Sequence, residues 1–269
     1  MAYWQDKIAI VTGASAGLGW ALCCELARQK ARVVLAARDA ERLEYCREEL
    51  IRQHPTDVLA ISTDVTKDDQ VARLVDETRS RFGRLDALVN CAGRSARGAL
   101  RSTSAADCAE LMELNFYGLV RCTQAALPLL LDARGHVINI GSLASKTAAP
   151  HLGAYAASKF AVAAYSQQLR LELADLGLHV LLVCPGPLKR KDAGARYDVQ
   201  AAGLPDTARE PGGGVKLRGI DPVLLAGKIL KAAEARRPEL IVPGRARWLF
   251  AIAQLWPSWG DSILRRMTS

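Results

Sequence analysis

With 269 residues, 50% of them hydrophobic and 24% charged, the chain has enough apolar material for one large buried core, and α/β units of this size commonly remain single domains. The formal net charge of +8 suggests a nucleic-acid partner until it is located: residues 189–218 hold seven Lys/Arg against four Asp/Glu, and residues 245–269 hold four against one. The rest is nearly balanced and shows no basic stripe interleaved with aromatic residues, so nucleic-acid binding is not expected.

The first β-branched run, Ile8–Thr12, predicts a strand. It leads directly into Thr12-Gly13-Ala14-Ser15-Ala16-Gly17-Leu18-Gly19 and then into a helical pattern at Trp20, Ala21, Leu22 and Leu26. Glycines at a strand-to-helix turn let backbone amides meet a pyrophosphate at the helix N-terminus. The spacing Gly13-x3-Gly17-x-Gly19 differs from the common Gly-x-Gly-x-x-Gly fingerprint, but its position after the first strand points to dinucleotide binding, with Thr12 and Ser15 as hydroxyl donors. Further on, strands are predicted at Val33–Ala36, Val58–Ser62, Leu85–Asn90, His136–Gly141, His179–Cys184 and Leu240–Val242. Between them lie helical patterns at Glu41–His54, Asp68–Phe82, Ala106–Leu131, Ala154–Leu176 and Pro222–Arg236. This alternation is that of βαβ units in a mainly parallel sheet. Asn90-Cys91-Ala92-Gly93 ends the fourth strand, at the carboxyl edge where open α/β sheets bind ligands. Ser142 follows the fifth strand, and Tyr155 and Lys159 stand four apart on one face of the next helix, where the ammonium can depress the pKa of the phenol.

Together these motifs resemble the short-chain dehydrogenase/reductases, Rossmann-fold NAD(P)-dependent oxidoreductases. The likeness runs from about residue 6 to 243 and rests on Thr-Gly-x3-Gly-x-Gly at 12–19, Asp64-Val65, Asn-Cys-Ala-Gly at 90–93, Asn115, Ser142, Tyr155-x3-Lys159 and Pro185-Gly186. It implies an α/β doubly wound parallel seven-stranded sheet in the order 3-2-1-4-5-6-7, and a homodimer or homotetramer. Carried over residue by residue, it implies that Tyr155 is the general acid/base, that Ser142 hydrogen-bonds the carbonyl oxygen, and that Asn115 holds a water linking Lys159 to solvent. A free phenol titrates near pH 10, so Lys159 and an oxidised nicotinamide would have to bring Tyr155 into working range. The implied cofactor wall comprises Gly13, Ser15, Ala16, Gly17, Leu18, Gly19, Arg38, Asp64, Val65, Asn90, Ala92, Gly93, Tyr155, Lys159, Pro185, Gly186 and Leu188. In the family's register the position of an NAD-specific carboxylate is Ala37, and Arg38 follows it. A guanidinium there suits the 2′-phosphate of NADP(H), with Asp39 as the rival that would hold an NAD ribose.

Where the family usually continues with x-Val/Ile-x-Thr, this chain has Pro187-Leu188-Lys189-Arg190, so the threonine contact to the carboxamide is missing and the amide of Leu188 must serve. Residues 188–215 contain Gly212-Gly213-Gly214, Pro205 and Pro211 and little periodicity, which predicts a substrate lid. Arg94, Arg97 and Arg101 after one turn, and Lys189, Arg190, Lys191 and Arg196 after the other, would suit an anionic substrate, or are solvated loop charges. The expected units are a catalytic domain over 1–244 and an amphipathic tail over 245–269, which holds Trp248, Trp256 and Trp259. Pro257 and Gly260 are read as helix breaks, which favours protein packing for the tail over a membrane surface.

Seven scattered cysteines and four dispersed histidines show no ligand spacing, so no metal site is expected and the thiols read as small buried hydrophobes in a reducing compartment. The start of the chain has no signal-peptide core and the apolar runs are too short to span a bilayer, which makes the cytoplasm the expected location. The leading function is an NADP(H)-dependent carbonyl reductase or secondary-alcohol dehydrogenase acting on a small molecule. The alternatives are a catalytically silent NADP-sensing or scaffolding protein on the same fold, and a membrane-associated reductase of lipid-like ketones.

Overall fold

Five successive buried residues make up β1 (Ile8–Thr12), the pattern of a strand covered on both faces. The fold described here comes from a computed structural model and covers residues 2–190, 197–210, 212, 214–215 and 217–268. The other strands are β2 (Arg32–Ala37), β3 (Val58–Ser62), β4 (Ala87–Asn90), β5 (His136–Ile140), β6 (His179–Pro185) and β7 (Glu239–Val242). All pair in parallel, in the order β3-β2-β1-β4-β5-β6-β7. The doubly wound seven-stranded sheet expected from the sequence is therefore present. β4 starts later than predicted because Asp86 acts as a cap: its carboxylate accepts the amide of Ile8 at 2.9 Å and an Arg84 N–H at 2.6 Å.

Alternate residues of β1 feed opposite layers, as the two-residue period of a strand requires. Ala9 and Val11 pack with α1 (Gly17–Arg28), α2 (Ala40–Gln53) and α7 (Pro222–Glu234) through residues such as Leu22, Leu26, Leu43 and Ile229. Ile8 and Ile10 pack with α3 (Asp68–Phe82), α5 (Gly118–Asp132) and α6 (Tyr155–Leu173) through Leu74, Ala126, Leu130 and Leu169.

Two departures from the predicted elements shape the site. The single helix expected over Ala106–Leu131 is split into α4 (Ala105–Met112), a π turn over Glu113–Tyr117, and α5. The wider turn shifts the helical register and leaves Asn115 buried at 1% exposure. The tail forms α8 (Ala246–Leu255) and α9 (Pro257–Thr268). Pro257 does divide it, but Gly260 lies inside α9 and breaks nothing. A Cβ there would come within 2.6 Å of the Ala253 Cα, so Gly260 is what lets the two helices cross closely. Phe250 of α8 is buried with Leu119, Val162 and Leu182, which fixes this hairpin to the main body.

Candidate active site

At the carboxyl edge of the sheet, the turn between β1 and α1 places Gly13 and Gly17 at φ of +67° and +56°, a region that favours glycine. Space matters as much as conformation. A Cβ on Gly19 would meet the Gly13 carbonyl oxygen at 2.2 Å, and one on Gly13 would meet the Ala92 Cα at 3.0 Å. The N-cap residue Ala16 has no capping side chain and the first turn of α1 has no acidic residue. The free amides and the positive end of the helix dipole are thus open to an anion.

Thr12 departs from its predicted role. Buried at 1% exposure, its hydroxyl accepts from the amides of Cys91 and Ala92 at 3.0 and 3.1 Å and donates to the Val89 carbonyl, so it stitches the two loops together instead of facing a ligand. Asn90 is likewise turned away. Its amide nitrogen donates to Thr123 and Asn139 in a buried network that continues to Ser166.

A cleft of about 1430 Å³ runs along this edge. One half of it is walled by Gly13, Ser15, Ala16, Gly17, Leu18 and Gly19, then by Arg38, Asp39, Asp64 and Val65. Among the described residues, no ion pair holds Arg38, whereas an Asp39 carboxylate oxygen accepts the Arg42 amide and caps α2. Arg42, which motif reading passes over, donates its Nε to the Ser15 carbonyl at 2.9 Å and ties α2 to the glycine turn. Its position four residues after Arg38 at the start of a helix was the available signal.

The other half of the cleft holds Ala92, Gly93, Ser142, Tyr155 and Lys159, with Pro185, Gly186 and Leu188 on the same wall. Ser142 caps a short 3-10 turn, accepting the Ala144 amide, and also hydrogen-bonds the Tyr155 phenol. Lys159 is buried at 6% exposure and donates to the Ile140 carbonyl at 2.8 Å; burial brings its pKa down to about 8. The expected depression of the Tyr155 pKa is not found without cofactor. Burial pushes the phenol up, and the Ser142 hydrogen bond and nearby Arg97 only partly oppose it. The Lys159 Nζ lies 6.0 Å from the ring centroid, too far to outweigh desolvation.

Asn115 does not line the cleft. Its side chain accepts the Arg94 amide and donates to the Arg94 carbonyl and the Ser158 hydroxyl, clamping the loop after β4. A Cβ on Gly93 would meet the Asn115 Oδ1 at 2.9 Å and the Lys159 Nζ at 3.8 Å, so glycine is needed where the three groups converge.

The basic loops are less open than their sequence suggests. Arg97 is buried at 7% exposure, donates to the carbonyls of Ala96, Ala208 and Glu210, and stacks at 3.9 Å over the Tyr197 ring. Arg94 pairs with Glu110 at 2.6 Å. Arg190 stands on the cleft wall, while Lys191 and Arg196 lie outside the described residues, as do Pro211 and Gly213 of the expected lid. The inner faces of α8 and α9 complete the cleft with Leu249, Phe250, Ile252, Ile263, Leu264 and Met267.

Comparison with known proteins finds a match to the family model for short chain dehydrogenase over residues 7–198. Dehydrogenase/reductase SDR family member 7B of Danio rerio is 33% identical over 94% of this chain and 83% of its own. 11-beta-hydroxysteroid dehydrogenase A of Sesamum indicum is 37% identical over 67% of this chain and 52% of its own. Among solved structures, a short-chain dehydrogenase from Streptomyces avermitilis superimposes with a TM-score of 0.78 at 30% identity, covering 100% of this chain and 96% of that one. An alcohol dehydrogenase from Thermococcus sibiricus, complexed with 5-hydroxy-NADP, gives 0.74 at 25% identity, covering 87% and 95%.

Proposed function

The chain belongs to the short-chain dehydrogenase family, and from that premise we propose that it is an NADP(H)-dependent carbonyl reductase, or secondary-alcohol dehydrogenase in reverse, with Tyr155 as its general acid/base. Family membership makes it an oxidoreductase that uses a nicotinamide cofactor on a small molecule. The observation that carries the finer reading is the convergence of Ser142, Tyr155 and Lys159 on the cleft that the glycine turn opens.

The glycine cradle and the open amides of α1 fit a pyrophosphate. Arg38 supports NADP(H) over NAD(H), because a guanidinium on the same cleft wall as Ser15, with no ion-pair partner among the described residues, suits a 2′-phosphate while Asp39 is engaged at its helix cap. The Thermococcus sibiricus relative was solved with an NADP analogue, which agrees with this choice. The backbone of Asn90, together with Ala92, Gly93, Asp64 and Val65, would line the ribose and adenine positions. Pro185, Gly186 and the Leu188 amide would face the nicotinamide, which supplies or accepts the hydride.

In the reducing direction, the phenol held protonated by burial donates its Oη proton to the substrate oxygen as the carbonyl carbon gains hydride. Ser142 donates a hydrogen bond to the same oxygen. The buried ammonium of Lys159 stabilises the phenolate that remains until solvent reprotonates it, and Asn115 holds the neighbouring loop in place for that relay. The same reading takes 1–244 as the catalytic unit and 245–269 as its tail, assembled as a homodimer or homotetramer.

The test is Tyr155→Phe, which deletes one hydroxyl and leaves the glycine turn untouched. Turnover of a ketone panel with NADPH is expected to fall by about 10²–10⁴-fold while NADPH affinity changes little. A variant that kept half of wild-type turnover, with chemistry rate-limiting, would rule out the assigned role.

A further inference from the structure

The hairpin of α8 and α9 packs one apolar face inside the molecule and carries large apolar side chains among charged and polar ones on its outer side. The inner residues follow helical spacing, with Ala246, Leu249, Phe250 and Ala253 on α8 and Gly260, Ile263, Leu264 and Met267 on α9. They pack on each other, on the main body, or along the cleft. On the outer side Trp248 is 75% exposed, Leu255 67%, Trp256 56% and Trp259 69%. Trp256 and Trp259 lie side by side, with ring centroids 6.2 Å apart, across the junction of the two helices. Three of the five tryptophans in the chain therefore stand exposed on this one hairpin. Large exposed apolar side chains gathered on one element of this kind point to an interaction site.

Charge selects the partner. Residues 245–269 carry four arginines and one acidic residue, and Arg247 and Arg266 are exposed on the same two helices. In a two-fold contact between copies the same patch meets itself, which would set arginines against arginines. An anionic lipid surface supplies the missing negative charge, and tryptophan favours the boundary between headgroups and acyl chains. Among the described residues no helix is long and apolar enough to cross a membrane, so any such contact lies in the interface plane.

We propose that the outer face of the α8–α9 hairpin docks the protein on an anionic lipid bilayer, with Trp248, Trp256 and Trp259 inserted at the headgroup level. The docking does not depend on the assigned reaction. A consequence that does rest on it is that a bilayer-dissolved ketone would meet the cleft at the docked face, because the same two helices form the cleft's apolar wall.

Sedimentation of the full chain with phosphatidylcholine vesicles, with and without phosphatidylglycerol, tests the proposal independently of turnover. The protein is expected to pellet with the anionic vesicles, with blue-shifted tryptophan emission, and to be released by high salt. Trp248→Ser, Trp256→Ser and Trp259→Ser combined should lower partitioning by about tenfold or more while thermal stabilisation by NADPH is kept. Should that variant lose NADPH stabilisation, Arg247→Glu with Arg266→Glu takes its place, with the same expected loss. Wild type that stays in the supernatant with anionic vesicles would overturn the proposal, as would variants that pellet as well as wild type. A wild-type oligomer that dissociates in the triple variant without any vesicle binding would overturn it in favour of a second copy of the chain.

Discussion

Lys159 carries a charge that the ligand-free fold does not favour. Burial holds its pKa at about 8 against an ordinary 10.5, so the unfolded chain binds more protons between those values and the residue's contribution to stability rises as pH climbs through that window. At pH 7 the buried ammonium is a net cost, of up to roughly 3 kcal/mol. Lys159→Met is therefore expected to raise the thermal midpoint at pH 7 by a few degrees while turnover collapses, which calorimetry and a nicotinamide absorbance assay check together. A midpoint that fell would mean that the hydrogen bond to Ile140 outweighs the desolvation. Arg38 is the residue proposed to set the choice of cofactor. Charge-assisted hydrogen bonds contribute on the order of 1.5–3 kcal/mol, so Arg38→Ala should weaken NADPH binding by about tenfold or more and leave NADH nearly unchanged. Tighter NADH binding by the wild type would transfer the role to Asp39. The identity and spacing of both residues were legible in the sequence. What the fold does to the Tyr155 pKa was not, because desolvation depends on walls built by remote segments.

Between β4 and the lid region, one arginine joins two loops. Sequence position alone makes Arg97 a loop charge suited to an anionic substrate, yet it is buried, and its guanidinium holds the carbonyls of Ala208 and Glu210 while stacking on Tyr197. Tyr197 is also hydrogen-bonded to Ser95. Removing the fork leaves the two carbonyls without their charged donor, and surface loops are where such losses appear as local opening. Arg97→Ala is expected to speed amide hydrogen exchange across 197–210 by about tenfold or more and to raise KM for ketone more than it lowers kcat. Unchanged exchange would show that the packing of Ala201 and Ala208, both fully buried, holds the segment by itself.

At the opposite edge of the sheet, a chain of hydrogen bonds ties distant parts of the molecule together. Tyr3 bonds His136 Nε2 at 2.6 Å, His136 Nδ1 bonds His179 Nδ1 at 2.8 Å, and His179 Nε2 bonds the Arg237 carbonyl at 2.9 Å. The carbonyl can only accept, so His179 carries its proton on Nε2, His136 on Nδ1, and Tyr3 donates its hydroxyl. Every position is satisfied by neutral imidazoles. Burial, the facing His179, and the cations Arg236 and Lys7 bring the His136 pKa down to about 3, and burial lowers His179 as well. Both pKa values are depressed, so the stabilisation is fully present above about pH 6.5 and is lost as pH falls toward about 3. The His136→Gln, His179→Gln double variant is expected to melt lower at pH 7 but to lose less stability between pH 6.5 and 4, as thermal scans in matched buffers would record. Parallel slopes would assign the acid sensitivity to carboxylates.

The order of residues by itself determined the βαβ alternation, the seven strands, the glycine turn and the Tyr155–Lys159 spacing, because hydrophobic period and turn chemistry act over a few neighbouring residues. Tertiary structure decided what each polar group is used for. Thr12 spends its hydroxyl on Cys91 and Ala92, Asn115 clamps Arg94 through a π turn hidden inside a continuous helical pattern, and Arg97 holds carbonyls more than one hundred residues away. Gly260 reads as a helix break until Ala253 is seen against it. The deciding partner lies on another element in each case, and only folding sets the distance, the burial and therefore the strength of the contact.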